Sequence, residues 1–301
     1  MKFIAYIFTY GFIWLLHLLP ERILYFLSDI LYLLMYHVAG YRKKVVYRNL
    51  ERAFPNYDKA SIRRIAKEFY RHLSDTLLEQ AVLHFYSESK ARQRMLVNNP
   101  EVLNELYGKG KMVMAVLGHY GNWEYMAALS LSIDHPVFAI YKPLRNKYFD
   151  RMIRHNREAF GVIPVPMNRI ARTLVESHRD KKPALTLFLG DQRPRYHQIQ
   201  YWTRFLGIDT PMFLGTEKLA RKLDAAVVFL KVKKVKRGRY EVDVQLICES
   251  PEGLKPYEIT DRHVKALEEV IREKPAYWLW SHKRWKHSYE KYQQEQASKD
   301  S

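Results

Sequence analysis

After Asn98-Asn99-Pro100 the chain alternates short apolar runs with helical stretches, and this alternation limits the possible folds more than any other feature. The runs at 112–117, 137–141, 162–165 and 184–189 are rich in strand formers, and each is too short for an ordinary helix. Two further runs, 226–233 and 240–248, are joined by a turn around Gly238 and read as an antiparallel pair. The pattern predicts an α/β domain with a largely parallel sheet flanked by helices and a late β-hairpin. In open sheets of this kind reactive groups gather at the carboxyl ends of the strands, so the residues that follow each run are the ones to inspect.

The first run, Met112 to Leu117, is followed by Gly118-His119-Tyr120-Gly121-Asn122-Trp123-Glu124. Trp123 to Ile133 has the composition of a buried helix, so the stretch reads as strand, glycine-bearing turn and helix start. On a continuous helix, residues five apart point roughly 140° away from each other, so His119 and Glu124 meet only if the backbone turns between them. Gly118 and Gly121 permit that turn. A carboxylate bonded to one imidazole nitrogen fixes the tautomer and leaves the other nitrogen free to take a proton from a hydroxyl. The pair is a candidate general base with its orienter. A structural zinc site wants about four ligands, and the single cysteine, Cys248, falls in the apolar strand-like run 240–248, so no metal is expected.

Other strand ends are polar and cationic. Tyr141-Lys142-Pro143-Leu144-Arg145-Asn146 follows the second run, and Gly190-Asp191-Gln192-Arg193-Pro194 follows the fourth. Such a mouth suits an anionic substrate or the oxyanion of an acyl transfer. The whole chain is basic: 50 Lys and Arg against 32 Asp and Glu give a formal charge of +18, which favours an anionic partner. Nucleic acid, acidic lipid and an acidic carrier protein all qualify. No zinc-finger spacing or RRM-type motif is present to support the first. Gly108-Lys109-Gly110 precedes a strand instead of following one, which argues against a phosphate loop.

The amino terminus favours lipid. Phe3 to Leu19 carries no formal charge apart from His17, and Ile23 to Ala39 carries only Asp29 and His37. Arg42, Lys43, Lys44 and Arg48 follow, a basic cluster that the positive-inside bias places in the cytoplasm together with the residues after it. Residues 1–41 are therefore expected to anchor the chain to a membrane, as one tilted transmembrane helix, a re-entrant hairpin, or a span with an interfacial helix. Residues 42–292 form the α/β domain, opening with an amphipathic helix over Lys59 to Phe85, and 293–301 are a polar tail.

In these segments the chain resembles the late acyltransferases of lipid A biosynthesis, within the wider lysophospholipid acyltransferase superfamily that carries an H-x4-D/E motif. His119 and Glu124 fit that motif, and Tyr141, Pro143 and Asn146 match the Y-x-P-x-x-N element. Arg157 with Gly161 is similar to the arginine-then-glycine element after it. Asp191-Gln192, Phe205-Leu206-Gly207 with Thr210, and Asn49 to Pro55 resemble further family segments. Residues Pro275 to Lys286 resemble the terminal signature, with Lys283 and Trp285 in place of the usual Arg and Phe.

The resemblance implies transfer of a fatty acyl chain from a thioester, usually on acyl carrier protein and otherwise on coenzyme A, to a hydroxyl of a membrane lipid. That lipid is expected to be a lipid A precursor, with another glycolipid or a lysophospholipid as the alternative. His119 becomes the base and Glu124 its orienter, while Asn122, Tyr141, Lys142, Arg145, Arg157, Asp191 and Arg193 are expected to contact substrate. With no G-x-S-x-G elbow and Cys248 in a core run, direct transfer without a covalent intermediate is expected, and no cofactor. The expected location is the inner membrane, on its cytoplasmic face.

Overall fold

The computed structural model describes residues 2–144 and 146–298. Four helices come first: α1 (Lys2–Leu18), α2 (Glu21–Leu33), α3 (Lys43–Ala53) and α4 (Lys59–Leu83), with a π-helical turn, Leu34–Val38, continuing α2. Helix α4 starts where the Asp58 carboxylate accepts the backbone N–H of Ser61 at 2.8 Å, an N-cap that fixes the boundary expected from the periodicity.

The domain then runs α5 (Glu88–Arg94), β1 (Met95–Val97), α6 (Glu101–Gly108), β2 (Val113–Leu117) and a 3₁₀ helix, Trp123–Leu131. It continues with β3 (Val137–Tyr141), α7 (Lys147–Glu158), β4 (Val162–Pro166), α8 (Ile170–Arg179) and β5 (Leu185–Leu189). A separate hairpin, β6 (Tyr201–Phe205) and β7 (Ile208–Met212), precedes α9 (Gly215–Leu223). The long strands β8 (Ala226–Lys236) and β9 (Arg239–Cys248), then α10 (Glu258–Glu273) and α11 (Tyr289–Ala297), complete it.

Seven strands form one sheet in the order β1-β9-β8-β2-β5-β3-β4, parallel throughout except for the β8–β9 hairpin. All five residues of β2 are buried, as a central strand covered on both faces requires. Val113, Ala115 and Leu117 face the core shared with α4, while Met114 and Val116 face the one shared with α8 and α9. Three strands were not anticipated. Strand β1 is apolar but only three residues long, and β6 and β7 mix polar with apolar residues, β7 also holding Pro211, so none shows an apolar run of ordinary strand length.

Among the described residues no single helix is long and apolar enough to cross a membrane. The expected transmembrane helix is thus not found as one element. The apolar stretch is broken at Pro20, and the segments 21–38 and 43–53, which pass together on length and composition, are bent by 87°. Helix α2 instead packs on α4 through Leu24, Ser28 and Tyr32. Large apolar side chains of α1 and α2 point outward, with Phe8 74 % and Phe26 63 % exposed.

Candidate active site

Register explains the centre of the site. Strands β2 and β5 are parallel neighbours with Leu117 opposite Leu189, so the residues two places beyond each, His119 and Asp191, emerge side by side. His119 Nδ1 lies 2.6 Å from Asp191 Oδ1, and the backbone N–H of His119 donates to Oδ2 at 2.8 Å. The indole N–H of Trp278 donates to the same oxygen at 2.7 Å. Three donors therefore hold the buried Asp191 carboxylate. Because a carboxylate only accepts, the Nδ1 proton of His119 is fixed, and Nε2 is the nitrogen left for chemistry. Nε2 is 3.1 Å from the side-chain nitrogen of Gln192.

Burial disfavours charge on both partners, but their mutual attraction outweighs it. Asp191 is held down to about 2 by the His119 charge and hydrogen bonds, and His119 is raised above 6.5 by the Asp191 carboxylate.

The loop between His119 and Glu124 turns as expected at Gly121, whose φ is +61°. A Cβ there would stand 2.9 Å from Val232, so glycine is required on two counts. The turn does not, however, bring Glu124 to the imidazole as its hydrogen-bond partner. The Trp123 ring stands edge-on to the His119 ring, with centroids 5.0 Å apart, and Glu124 pairs with Arg157 at 3.3 Å. The Arg157 guanidinium, at the end of α7, also donates to the carbonyl of Ile140 on β3. The carboxylate expected to orient the base thus anchors an arginine, and Asp191, expected to meet substrate, is the one bonded to His119.

Glu124 and Arg157 stand where two clefts meet. A narrow one of about 40 Å³ runs over the apolar strand ends Leu117, Ile140, Leu187 and Leu189. A wider one of about 310 Å³ is bounded by Tyr10 and Ile13 of α1, Leu77 and Ala81 of α4 and Met152 of α7. The amino-terminal helices therefore form part of the wall beside the strand ends.

Asn122 is fully buried. Its amide donates to Glu79 of α4 at 2.9 Å, so it faces the scaffold and not the clefts. Glu79 also accepts from Tyr240 of β9 at 2.9 Å and from Tyr25 of α2 at 3.1 Å. Tyr141 is half-buried and Lys142 exposed at the end of β3, while Arg145 lies outside the described residues. Asn146 caps α7, accepting the N–H of Tyr148 at 3.1 Å. Arg193 Nη1 sits 3.0 Å from His287 Nε2.

The terminal segment is structural. Trp278, Trp280 and Trp285 are all buried. Tyr120 pairs with Trp278 as an isolated antiparallel bridge, and Leu279 N–H donates to the His119 carbonyl at 3.1 Å. Asn49 of α3 donates to the carbonyls of Trp280 and His282, both at 2.8 Å. Arg284, completely buried, donates to the carbonyl of Pro211 at 2.7 Å, and burial lowers it to about 9. Burial and the Arg284 charge lower His282 to about 4.

A histidine bonded to a buried carboxylate thus stands at the carboxyl ends of parallel strands in an α/β fold, where such folds place reactive groups. The family is established by sequence: the chain belongs to the bacterial lipid A biosynthesis acyltransferases, whose family model matches residues 2–287. It is an O-acyltransferase. The lipid A biosynthesis palmitoleoyltransferase of Escherichia coli is 24% identical over 285 residues, covering 93% of this chain and 90% of the relative. A lipid A biosynthesis acyltransferase of Shigella flexneri matches with the same identity and coverage. The lipid A biosynthesis lauroyltransferase of Escherichia coli is 21% identical, covering 92% and 89%.

Proposed function

We propose that the protein transfers a fatty acyl chain from acyl carrier protein to a hydroxyl of a lipid A precursor, with His119 as general base and Asp191 as its orienter. The observation that carries the reading is the 2.6 Å contact of His119 Nδ1 with Asp191, which leaves Nε2 to receive a proton. A hydroxyl is a poor nucleophile near neutral pH, and a positioned base supplies roughly 10² to 10⁴-fold. His119 Nε2 takes the hydroxyl proton as the oxygen attacks the thioester carbon. The tetrahedral intermediate collapses with loss of the thiolate, and the imidazolium returns the proton to sulfur. Glu124 holds Arg157 at the junction of the two clefts, a cation available to an anionic headgroup or to the donor.

The outward apolar side chains of α1 and α2 support attachment to the cytoplasmic face of the inner membrane, with the helices lying at the interface. The charge of +18 supports binding to anionic lipid and to an acidic carrier protein. The test is acyl transfer by purified enzyme, with acyl carrier protein thioester and a lipid A precursor in vesicles. His119→Ala should abolish product while the protein stays folded and vesicle-bound, and near-parental turnover would sink the mechanism.

A further inference from the structure

Gln192 occupies the place at His119 that substrate must take. Its side-chain amide is 3.1 Å from Nε2, and among the described residues it is the side chain hydrogen-bonded to that nitrogen. With the Nδ1 proton committed to Asp191, the neutral imidazole offers a lone pair at Nε2, so the partner there must donate, and the amide N–H does. The lone pair covered by Gln192 is the one that must take the acceptor's proton.

We propose that Gln192 is a catalytic residue with two successive partners: it caps His119 Nε2 in the unliganded enzyme and donates to the thioester oxyanion once the acceptor hydroxyl displaces it. The proposal rests on the reading of His119 as the base. An acceptor oxygen about 2.8 Å from Nε2 has the thioester carbon one bond away at the moment of attack. The developing oxyanion then lies within reach of an amide that began 3.1 Å from the same nitrogen. Gln192 is half-buried and follows Asp191, whose carboxylate is held by three hydrogen bonds, so its backbone is rooted while its long side chain turns. Arg193, the neighbouring cation, is engaged with His287.

The step balances. The acceptor O–H proton passes to Nε2, the O–C bond forms, and negative charge collects on the former carbonyl oxygen facing the amide. The C–S bond then breaks, and sulfur leaves with the proton from Nε2. The titratable groups whose fields reach His119 are Asp191 after β5, Glu124 in the 3₁₀ helix and His282 in the terminal segment. None of them faces Nε2 in a hydrogen bond.

Full-length Gln192→Ala and Gln192→Glu, assayed in vesicles with acyl carrier protein thioester and a lipid A precursor beside His119→Ala, test this. Loss of an oxyanion donor should lower kcat of Gln192→Ala by about 10² to 10³-fold, with KM for the acceptor unchanged or reduced. Gln192→Glu places a carboxylate at Nε2, holds the proton there, and should move the acid limb of the pH profile up by about one unit. Gln192→Ala turnover within about threefold of parent, or an unmoved limb in Gln192→Glu, overturns the proposal. Should Gln192→Ala fail to fold, the pH profile of the near-isosteric Gln192→Glu decides. Inactive His119→Ala beside parental Gln192 variants removes the Gln192 role alone. Activity in His119→Ala removes the base, and this proposal with it.

Discussion

The Asn122 amide donates a 2.9 Å hydrogen bond to the buried carboxylate of Glu79, tying the loop that carries His119 to the C-terminal part of α4. Glu79 also takes the hydroxyls of Tyr25 and Tyr240, so one carboxylate joins the His119 loop, an amino-terminal helix and the β8–β9 hairpin. Asp75, one turn earlier on α4, extends the junction by accepting from Ser28 at 2.7 Å and pairing with Lys234 and Arg237. Burial raises the Glu79 pKa, while Lys234 and the Asn122 and Tyr240 hydrogen bonds favour its charge.

Glu79→Ala strands three donors at once. Each unsatisfied buried group costs about 1–3 kcal/mol, so a loss of roughly 3–6 kcal/mol is expected after partial relaxation. Denaturant unfolding of the full-length protein in detergent measures it. Glu79→Gln, which keeps the shape and one acceptor oxygen, should lose less.

The two carboxylates near His119 should separate in kinetics. Asp191→Asn puts an amide against Nδ1 and favours the wrong tautomer, a change worth up to about 10⁴-fold in kcat where a comparable dyad has been altered. Glu124→Gln leaves the dyad intact and releases Arg157, so its effect should fall mainly on KM for one of the two substrates. Equal kcat losses in the two variants would restore Glu124 to the role its place in the motif suggested.

The pH dependence follows from the same pair. As the proposed base His119 must be neutral, and the Asp191 carboxylate raises its pKa above 6.5, so turnover should fall as the medium is acidified through a midpoint above 6.5. Stability moves differently. Asp191, depressed from 3.8 to about 2, contributes stability that is complete above 3.8 and is lost as pH falls toward 2. His119, raised, contributes stability that is complete below 6.5 and is lost as pH climbs through its folded pKa. Thermal midpoints should therefore decline at both ends, and Asp191→Asn should flatten both slopes.

Six of the strands were legible because short apolar runs announce buried strands; five of the six runs lie within about a residue of the observed strands, and the sixth, 226–233, stops short of the end of β8. The His119–Asp191 pairing had a signal as well. Gly118-His119 and Gly190-Asp191 stand at equal distances past their runs, and neighbouring parallel strands bring such positions together. Adjacency itself was not legible, since β2 and β5 are joined through β3 and β4 in the chain. Glu124 was assigned from spacing along one segment, and the Trp123 ring and the reach of Arg157 across from α7 are tertiary facts that such spacing does not carry. Asn122 reads as a polar loop residue until α4 is seen beneath it.

Membrane attachment should depend on the outward face of the first two helices. Replacing Phe8, Phe12 and Phe26 with Asp removes apolar side chains that are each worth about 1.5–3 kcal/mol when fully buried in hydrocarbon. Co-sedimentation with anionic vesicles should drop by more than tenfold, while the catalytic domain, whose core uses Leu16, Leu24 and Tyr32, keeps its unfolding midpoint. Binding that survives these changes and is released only by salt would assign attachment to the basic surface.

Donor recognition should be sensitive to salt. At subsaturating acyl carrier protein thioester, kcat/KM should fall steeply as ionic strength rises, and a coenzyme A thioester should respond less. Arg195→Glu, at an exposed position beyond Gln192, should raise KM for the carrier-linked donor. An equal response for both thioesters would leave the basic surface to lipid headgroups.

The segment Trp278 to Trp285 places part of the site's support near the far end of the chain. It supplies the indole that holds Asp191, the strand-like bridge against Tyr120 and the carbonyls that grip Asn49. Among the described residues, the apolar helices, all the strands, His119 and Asp191 precede this segment in the chain. The side chain that braces Asp191 from outside the sheet is thus among the last to be made, and a chain ending before Trp278 would keep His119 and Asp191 but lose the indole bond between the two halves of the site.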